Sequence, residues 1–128
     1  MDSSIEILVV DDEEIAGKRL KTALEKGQYA VEVADSGESA LRRLQEKEFD
    51  VVVTDIRMHD VDGIQVLDEV RKRHPKTKTI LITGYATVEV AREALAKGAF
   101  DFIAKPFQPK DLRVIVDKAV KQLRKERG

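Results

Sequence analysis

Residues 49–63 read FDVVVTDIRMHDVDG, and this stretch decides how the rest of the chain is interpreted. Residues 51–54 are three valines and a threonine. An apolar run of this length is typical of a strand covered on both faces of a sheet. Asp55 follows directly, and the loop beyond it is charged, with Arg57, His59, Asp60 and Asp62. A buried strand that ends in a carboxylate and a charged loop indicates a site at that end of the strand.

Similar apolar runs alternate with amphipathic stretches of helix length on both sides of this strand. The predicted strands cover residues 5–10, 30–34, 51–54, 79–83 and 100–103. The predicted helices cover residues 13–26, a stretch capped by Asp35 or Ser36, residues 63 to the His74-Pro75 pair, residues 87–97 and a stretch from Pro109. The alternation predicts an α/β fold with a single doubly wound, five-stranded parallel sheet, flavodoxin-like (βα)5. Right-handed crossovers favour the strand order 2-1-3-4-5.

Single residues refine the predicted helices. In the first helix, Ile15, Leu20 and Leu24 are expected on one apolar face, and Gly27 is expected to end the helix. Thr87 is a favourable residue to cap the fourth helix, because its hydroxyl can accept a hydrogen bond from a free main-chain N–H.

Composition narrows the classes of function. The chain has 128 residues, which predicts one domain, and its net charge of −1 argues against direct binding of nucleic acid by this domain. It contains no cysteine, which excludes disulfides, thiolate catalysis and zinc–sulfur sites. No signal peptide and no membrane-spanning run is visible, so a cytoplasmic protein without membrane contact is expected.

Polar residues follow the strands at the sheet edge where ligands bind in this architecture. They are Asp11 and Asp12 after the first strand, Asp55 after the third, Thr83 at the end of the fourth and Lys105 after the fifth. Each alone has a simpler interpretation, as a helix cap, a turn residue, a strand threonine or a solvated lysine. Together they indicate phosphoryl transfer: carboxylates in proximity favour a hard cation such as Mg²⁺, with Mn²⁺ as a plausible substitute, and leave one carboxylate as the nucleophile.

Four motifs resemble the receiver domains of two-component response regulators, in the order and at the spacing of that family. They are VVDDEE (9–14), VVVTDIRM (51–58), LITGYAT (81–87) and DFIAKPF (101–107), and the resemblance covers residues 1–128. The run TGYATVE (83–89) is similar to receivers of the nitrogen-regulation class, which precede an ATPase and a DNA-binding domain. Residues 121–128 are therefore expected either to be a solvated part of the last helix or to begin a linker to an effector domain.

The resemblance implies a role for each site residue. Asp55 would take a phosphoryl group from a histidine kinase or phosphotransfer protein, and Asp11, Asp12, Asp55 and the main-chain carbonyl of Arg57 would hold Mg²⁺. Lys105 would contact the phosphoryl group, with Pro106 after a cis peptide bond. Thr83 and Phe102 would form the switch, although plain core packing remains an alternative for Phe102. Arg57 and Tyr85 would tune the rate of dephosphorylation.

The same resemblance implies the output. The domain would catalyse only its own phosphorylation and slow dephosphorylation. The signal would reach the face formed by the fourth helix, the fifth strand and the fifth helix. This face would bind a partner, a second copy or an attached effector, and the output would be regulation of transcription.

Three other functions compete with this interpretation, and the chain departs from the family's pattern at one position. An aspartate-nucleophile phosphatase needs a second aspartate where this chain has Arg57. A nucleotide- or flavin-binding module needs a glycine-rich motif, which this sequence lacks. A binding scaffold that does not use phosphate would not need all five polar residues.

The family commonly has proline where this chain has His59. Either His59 is a solvated loop residue without a role, or it loosens the loop and makes it sensitive to pH.

Overall fold

The structure is a computed structural model and describes residues 4–84 and 87–128. It contains one parallel sheet of five strands in the order β2-β1-β3-β4-β5, which confirms the predicted fold and strand order. The strands are β1 (Glu6–Val10), β2 (Ala30–Ala34), β3 (Val51–Asp55), β4 (Lys78–Thr83) and β5 (Asp101–Ala104). The helices are α1 (Glu14–Glu25), α2 (Gly37–Glu46), α3 (Gly63–Arg73), α4 (Val88–Ala96) and α5 (Pro109–Glu126).

The central strand β3 is buried along its whole length and separates two apolar layers. Val51 and Val53 pack with the apolar faces of α1 and α5, and Val52 packs on the opposite face with α2 and α3. A third cluster joins α3 and α4 over the neighbouring strand β4. The outer strands β2 and β5 are only partly buried, as expected for the edges of the sheet. This packing explains why residues 51–54 are apolar on both faces and why β3 holds its last residue rigidly.

Ile15 does not lie on the buried face of α1, contrary to the prediction. Its side chain is 75% exposed, whereas Gly17, Leu20 and Leu24 are buried. At about 100° per residue, Ile15 points roughly 180° away from Leu24, so the two side chains cannot share one face. Ile15 is therefore an exposed apolar residue on the first turn of α1.

The end of α1 also differs from the prediction. Lys26 caps the C-terminus of α1, and the left-handed conformation belongs to Gln28, with φ 72°, rather than to Gly27. The last helix, α5, continues to Glu126, where Lys78 binds Glu126 at 2.7 Å and Arg127 binds Asp50 at 2.5 Å. None of the helices in the described ranges has both the length and the apolar character needed to cross a membrane.

Candidate functional site

The register of the sheet brings the predicted site residues together at the carboxyl ends of the strands. Val10 pairs with Thr54, so Asp11 and Asp55 follow side by side at the ends of β1 and β3. Thr83 pairs with Ala104, and the main-chain N–H of Lys105 donates to the carbonyl of Thr83 at 2.8 Å. The carboxyl ends of β1, β3, β4 and β5 thus supply the residues of one site.

Asp55 is the buried centre of this edge. Its side chain is 7% exposed, and Oδ2 accepts a hydrogen bond from Nζ of Lys105 at 3.1 Å. Burial raises the pKa of Asp55 from 3.8 to about 6, and the nearby charges of Asp11 and Asp12 act in the same direction, while Lys105 opposes them. Burial alone would lower the pKa of Lys105, but its contact with Asp55 and the charge of Asp11 outweigh that effect and raise it. The positive charge of Lys105 therefore does not fully offset the negative charges of Asp11, Asp12 and Asp55.

Asp11 and Asp12 are held by different neighbours. Asp11 is 3% exposed, and its Oδ1 accepts a hydrogen bond from the main-chain N–H of Glu13 at 2.8 Å. Burial raises the pKa of Asp11 above its ordinary value. Asp12 Oδ2 accepts from the main-chain N–H of His59 at 3.0 Å and lies 2.6 Å from Nδ1 of the His59 imidazole.

The donor set suits a hard cation that keeps part of its hydration shell. Asp11, Asp12 and Asp55 each have one carboxylate oxygen that accepts no hydrogen bond from the residues the structure describes. Within residues 4–84 and 87–128, no three carboxylate or imidazole side chains converge closely enough to enclose a cation by themselves. Mg²⁺ is usually held in this open way, by one or two carboxylates with waters and phosphate oxygens completing its octahedron.

A cavity of about 200 Å³ opens directly onto Asp55. It is lined by Asp55, Arg57, Gly84, Thr87 and Lys105. The Lys105–Pro106 peptide bond at its edge is cis. The cavity therefore brings a buried carboxylate, an ammonium group and a small residue together.

Thr83 is fully buried and does not line this cavity. Its hydroxyl lies 2.5 Å from the hydroxyl of Thr87 and donates to the carbonyl of Gly84 at 3.0 Å. Thr87 stands at the N-cap position of α4, as predicted, but its side chain makes no capping hydrogen bond. Instead its hydroxyl accepts from the main-chain N–H of Gly84 at 3.1 Å. Thr83 and Thr87 thus form a paired hydroxyl contact beside the cavity.

The remaining predicted residues are distributed around the edge. The side chain of Arg57 is exposed and lies at the cavity mouth. Phe102 is half-buried and packs against the cluster that joins α3 and α4. Tyr85 lies outside the residues that the structure describes.

Sequence reasoning missed three contacts around the site. The first is the contact between His59 and Asp12, and the second is the Thr83–Thr87 hydroxyl pair. The third is Asp60, which accepts hydrogen bonds from the first main-chain N–H groups of α2. The only available signal for the His59 and Asp60 contacts was the acidic and histidine-containing loop itself, because their partners lie 47 and 22 to 23 positions away and have no fixed spacing in the sequence. Thr83 and Thr87 are only four positions apart, but the Thr87 pattern also fits a helix cap.

Comparison with known families and structures gives one consistent match. A family model described as the response regulator receiver domain matches residues 7–117. The regulatory protein AtoC of Escherichia coli is 43% identical over 114 residues, which is 89% of this chain and 25% of AtoC. The transcriptional regulatory protein ZraR of the same organism is 38% identical over 117 residues, 91% of this chain and 26% of ZraR. The chain therefore spans about a quarter of the length of these curated relatives.

Solved structures agree. A CheY-like response regulator receiver domain protein from Methanospirillum hungatei is 32% identical, with a TM-score of 0.90 over 97% of this chain and 99% of that one. The NtrX protein of Brucella abortus is 31% identical, with a TM-score of 0.89 over 98% of this chain and 29% of NtrX. The similarity of this chain to NtrX agrees with the nitrogen-regulation class that residues 83–89 predict.

Proposed function

Because this chain belongs to the response regulator receiver domain family, we propose that Asp55 is its phosphoacceptor. An oxygen of the Asp55 carboxylate attacks phosphorus, an acyl phosphate forms, and the bond from phosphorus to the donor breaks with its electron pair going to the donor. When the donor is a phosphohistidine, the nitrogen of its imidazole is the leaving group. The observation that carries the proposal is the buried Asp55 side chain, which contacts Lys105 and opens onto a cavity.

The chain's own residues prepare this reaction in two ways. The Lys105 ammonium lies 3.1 Å from Asp55, so it can neutralise charge on the phosphoryl oxygens as they arrive. The free oxygens of Asp11, Asp12 and Asp55, with the Arg57 carbonyl, would hold Mg²⁺, or Mn²⁺ in its place. When bound, such a cation supplies charge neutralisation for the transferring phosphoryl group. In the chain itself, burial first and the charges of Asp11 and Asp12 second keep the pKa of Asp55 high.

A groove beside the site suits an approaching phosphodonor protein. It has a volume of about 390 Å³ and runs between α1 and the segment after β5, with Asp11, Lys105, Ala16, Phe107 and Pro109 among its lining residues. Ile15, 75% exposed, adds an apolar contact on the first turn of α1. We infer that a histidine kinase or phosphotransfer protein docks here and brings its phosphohistidine to Asp55.

The output is proposed to follow the Thr83–Phe102 switch. A phosphoryl group on Asp55 would draw the Thr83 hydroxyl away from Thr87, and Phe102 would fill the space that Thr83 leaves. The face formed by α4, β5 and α5 has exposed apolar side chains that a partner could contact. Val90 and Leu95 on α4 are each 39% exposed, and Val114 on α5 is 53% exposed. The occupant is a partner, a second copy of the chain or an attached effector domain of the kind that makes the relatives longer. In the last case the output is transcription.

The direct test is labelling of the purified chain with acetyl phosphate. With Mg²⁺ present, intact-mass spectrometry should show one added phosphoryl group, and labelling should fall sharply when EDTA removes the cation. The Asp55→Asn variant should not be labelled, because an amide is a poor nucleophile. Asp68→Asn changes an exposed carboxylate on α3 and should be labelled like the wild type.

Two outcomes would contradict the assignment. Equal labelling of Asp55→Asn and the wild type would move the acceptor to another residue. Steady turnover of a phosphomonoester, without a stable labelled protein, would favour a phosphatase over a signalling domain.

A further inference from the structure

Hydrogen bonds hold the charged loop between β3 and α3 at two places. Gly63 donates its main-chain N–H to the carbonyl of Ile56 at 2.8 Å, which closes the loop onto the end of β3. The carboxylate of Asp60, the residue after His59, accepts from the N–H groups of Gly37 and Glu38 at 3.2 and 2.9 Å, at the N-terminus of α2. His59 thus lies in a stretch that is hydrogen-bonded both to the end of β3 and to the start of α2.

From this position His59 directs two groups at one oxygen. Its main-chain N–H donates to Asp12 Oδ2 at 3.0 Å, and its imidazole Nδ1 lies 2.6 Å from the same oxygen. The Asp12 side chain is 16% exposed and the His59 side chain is 95% exposed, so the contact lies at the protein surface. A proline at this position would supply neither group, because it has no main-chain N–H and no polar side chain.

The other oxygen of Asp12 accepts no hydrogen bond from the described residues, and Asp12 lines an open cavity. That cavity has a volume of about 300 Å³ and is lined by Asp12, Glu13, Arg57, Met58 and His59. A carboxylate that is held through one oxygen presents the other in a fixed direction. Hydrogen bonds of this kind to a ligating carboxylate orient it, and their removal weakens metal binding.

We propose that His59 is a positioning residue for the cation site, holding Asp12 through Oδ2 so that Oδ1 faces the cation. This inference rests on the proposed function, in which Asp12 is a ligand of Mg²⁺. His59 does not touch the cation or the phosphoryl group; it acts through Asp12.

The test is isothermal titration of the full chain with MgCl₂, at one fixed pH and without any phosphodonor. His59→Ala removes the imidazole and keeps the N–H, and its dissociation constant for Mg²⁺ should rise by about two- to fivefold, the size expected for an exposed contact. His59→Pro also removes the N–H, and its dissociation constant should rise further. His74→Ala removes the other histidine, whose Nε2 lies 2.8 Å from the Leu44 carbonyl, and should leave Mg²⁺ binding unchanged.

A second pair of variants isolates the contact. In an Asp12→Ala background, His59→Ala should have no further effect on the dissociation constant, because the residue that His59 positions is gone. An equal effect in both backgrounds would mean that His59 acts by another route and would overturn the proposal. Tighter binding by His59→Ala would also overturn it, by showing that His59 competes with the cation for Asp12.

The titration separates this inference from the proposed function. If Asp55 is not labelled by acetyl phosphate but Mg²⁺ binding weakens in the expected order, the proposed function fails and the positioning role of His59 stands. If Asp55 is labelled and every His59 variant binds Mg²⁺ like the wild type, the positioning role alone is wrong.

Discussion

At the scale of single residues, the site concentrates negative charge where water is excluded. Asp55 and Asp11 are 5% and 3% exposed, and burial raises the pKa of both carboxyl groups. Lys105, at 3.1 Å from Asp55, is the cation that the described residues supply to this pair. The metal-free protein therefore carries an electrostatic cost at neutral pH that a bound cation would relieve.

This cost predicts how stability depends on pH. The pKa of Asp55 is about 6 in the folded chain against 3.8 ordinarily, so the folded state keeps a proton that the unfolded state has already lost. The stability that Asp55 contributes is thus present below about pH 4 and is lost as the pH rises through about 6. In EDTA, Asp55→Asn should be more stable than the wild type above pH 6, by up to about 3 kcal/mol, since one pKa unit corresponds to about 1.4 kcal/mol.

Urea unfolding at a series of pH values measures this difference. Groups shared by the two proteins cancel in the comparison, so the gap between the wild type and Asp55→Asn should widen from pH 4 to pH 7. A gap that stays constant over this range would show that burial of Asp55 does not set its ionisation.

At the scale of elements, the start of α4 is joined to the end of β4. The Thr87 hydroxyl could have capped α4, as its position predicts, but it pairs with Thr83 at the end of β4 and accepts the N–H of Gly84. The residue at the N-cap of α4 is therefore in direct contact with the last residue of β4.

Thr87→Val should destabilise the protein by about 1 to 2 kcal/mol, because valine keeps the side-chain shape but removes the hydroxyl that accepts from the Gly84 N–H and contacts the Thr83 hydroxyl. Hydrogen exchange should also quicken in the first turn of α4. Urea unfolding and hydrogen-exchange mass spectrometry measure the two effects.

Thr22→Val is the matched control for this substitution. Thr22 is exposed on α1, and its hydroxyl donates to the Lys18 carbonyl at 3.0 Å. Its free energy of unfolding should change by less than about 0.5 kcal/mol. Equal losses in both variants would mean that the hydroxyl pair contributes nothing particular.

At the scale of the whole molecule, the two ends of the strands differ. One end carries the candidate site, and at the other end ion pairs hold α5. At the opposite end of the strands from Asp55, Lys78 and Asp50 hold the end of α5 through Glu126 and Arg127. At the end of the strands that carries Asp55, the loop after β3 turns back toward the strand, and its main chain comes closest to β3 at Gly63. A Cβ at position 63 would lie 2.2 Å from the carbonyl oxygen of Asp55 and 2.9 Å from Cα of Ile56.

Gly63→Ala should therefore destabilise the chain by about 3 kcal/mol, because main-chain atoms on both sides of the contact cannot withdraw without moving β3 or α3. Since the displaced carbonyl belongs to Asp55, labelling by acetyl phosphate should fall as well. Thermal or urea unfolding, together with intact-mass spectrometry, checks both effects.

Gly27→Ala provides the comparison. Its Cβ would lie 3.1 Å from the ring of Tyr29, which can shift, and 3.3 Å from the carbonyl oxygen of Leu24, a much longer main-chain contact than the 2.2 Å at Gly63. Gly27→Ala should lose clearly less stability than Gly63→Ala and be labelled normally. The opposite ranking would show that the turn at Gly63 has more room than its contacts indicate.

The architecture could be predicted from the chain alone, and so could the placement of Asp11, Asp55 and Lys105 at one end of the strands. Strands β1, β3 and β4 each contain an apolar run, and parallel strands bring whatever follows their carboxyl ends to one end of the sheet. The errors were at positions where local pattern and tertiary contact compete. Ile15 matched an apolar residue in a helix but points away from the sheet, and Thr87 matched a cap but contacts Thr83.

The sequence by itself thus determined the five-stranded sheet and placed Asp11, Asp55, Thr83 and Lys105 at the same end of the strands, because apolar periodicity marks each strand locally and parallel strands bring their carboxyl ends together. Only the tertiary structure decided which groups touch: Lys105 on Asp55, His59 on Asp12 and Thr87 on Thr83. Contacts between residues up to 50 positions apart depend on how loops close and how side chains fill the remaining space. No spacing in the sequence encodes that.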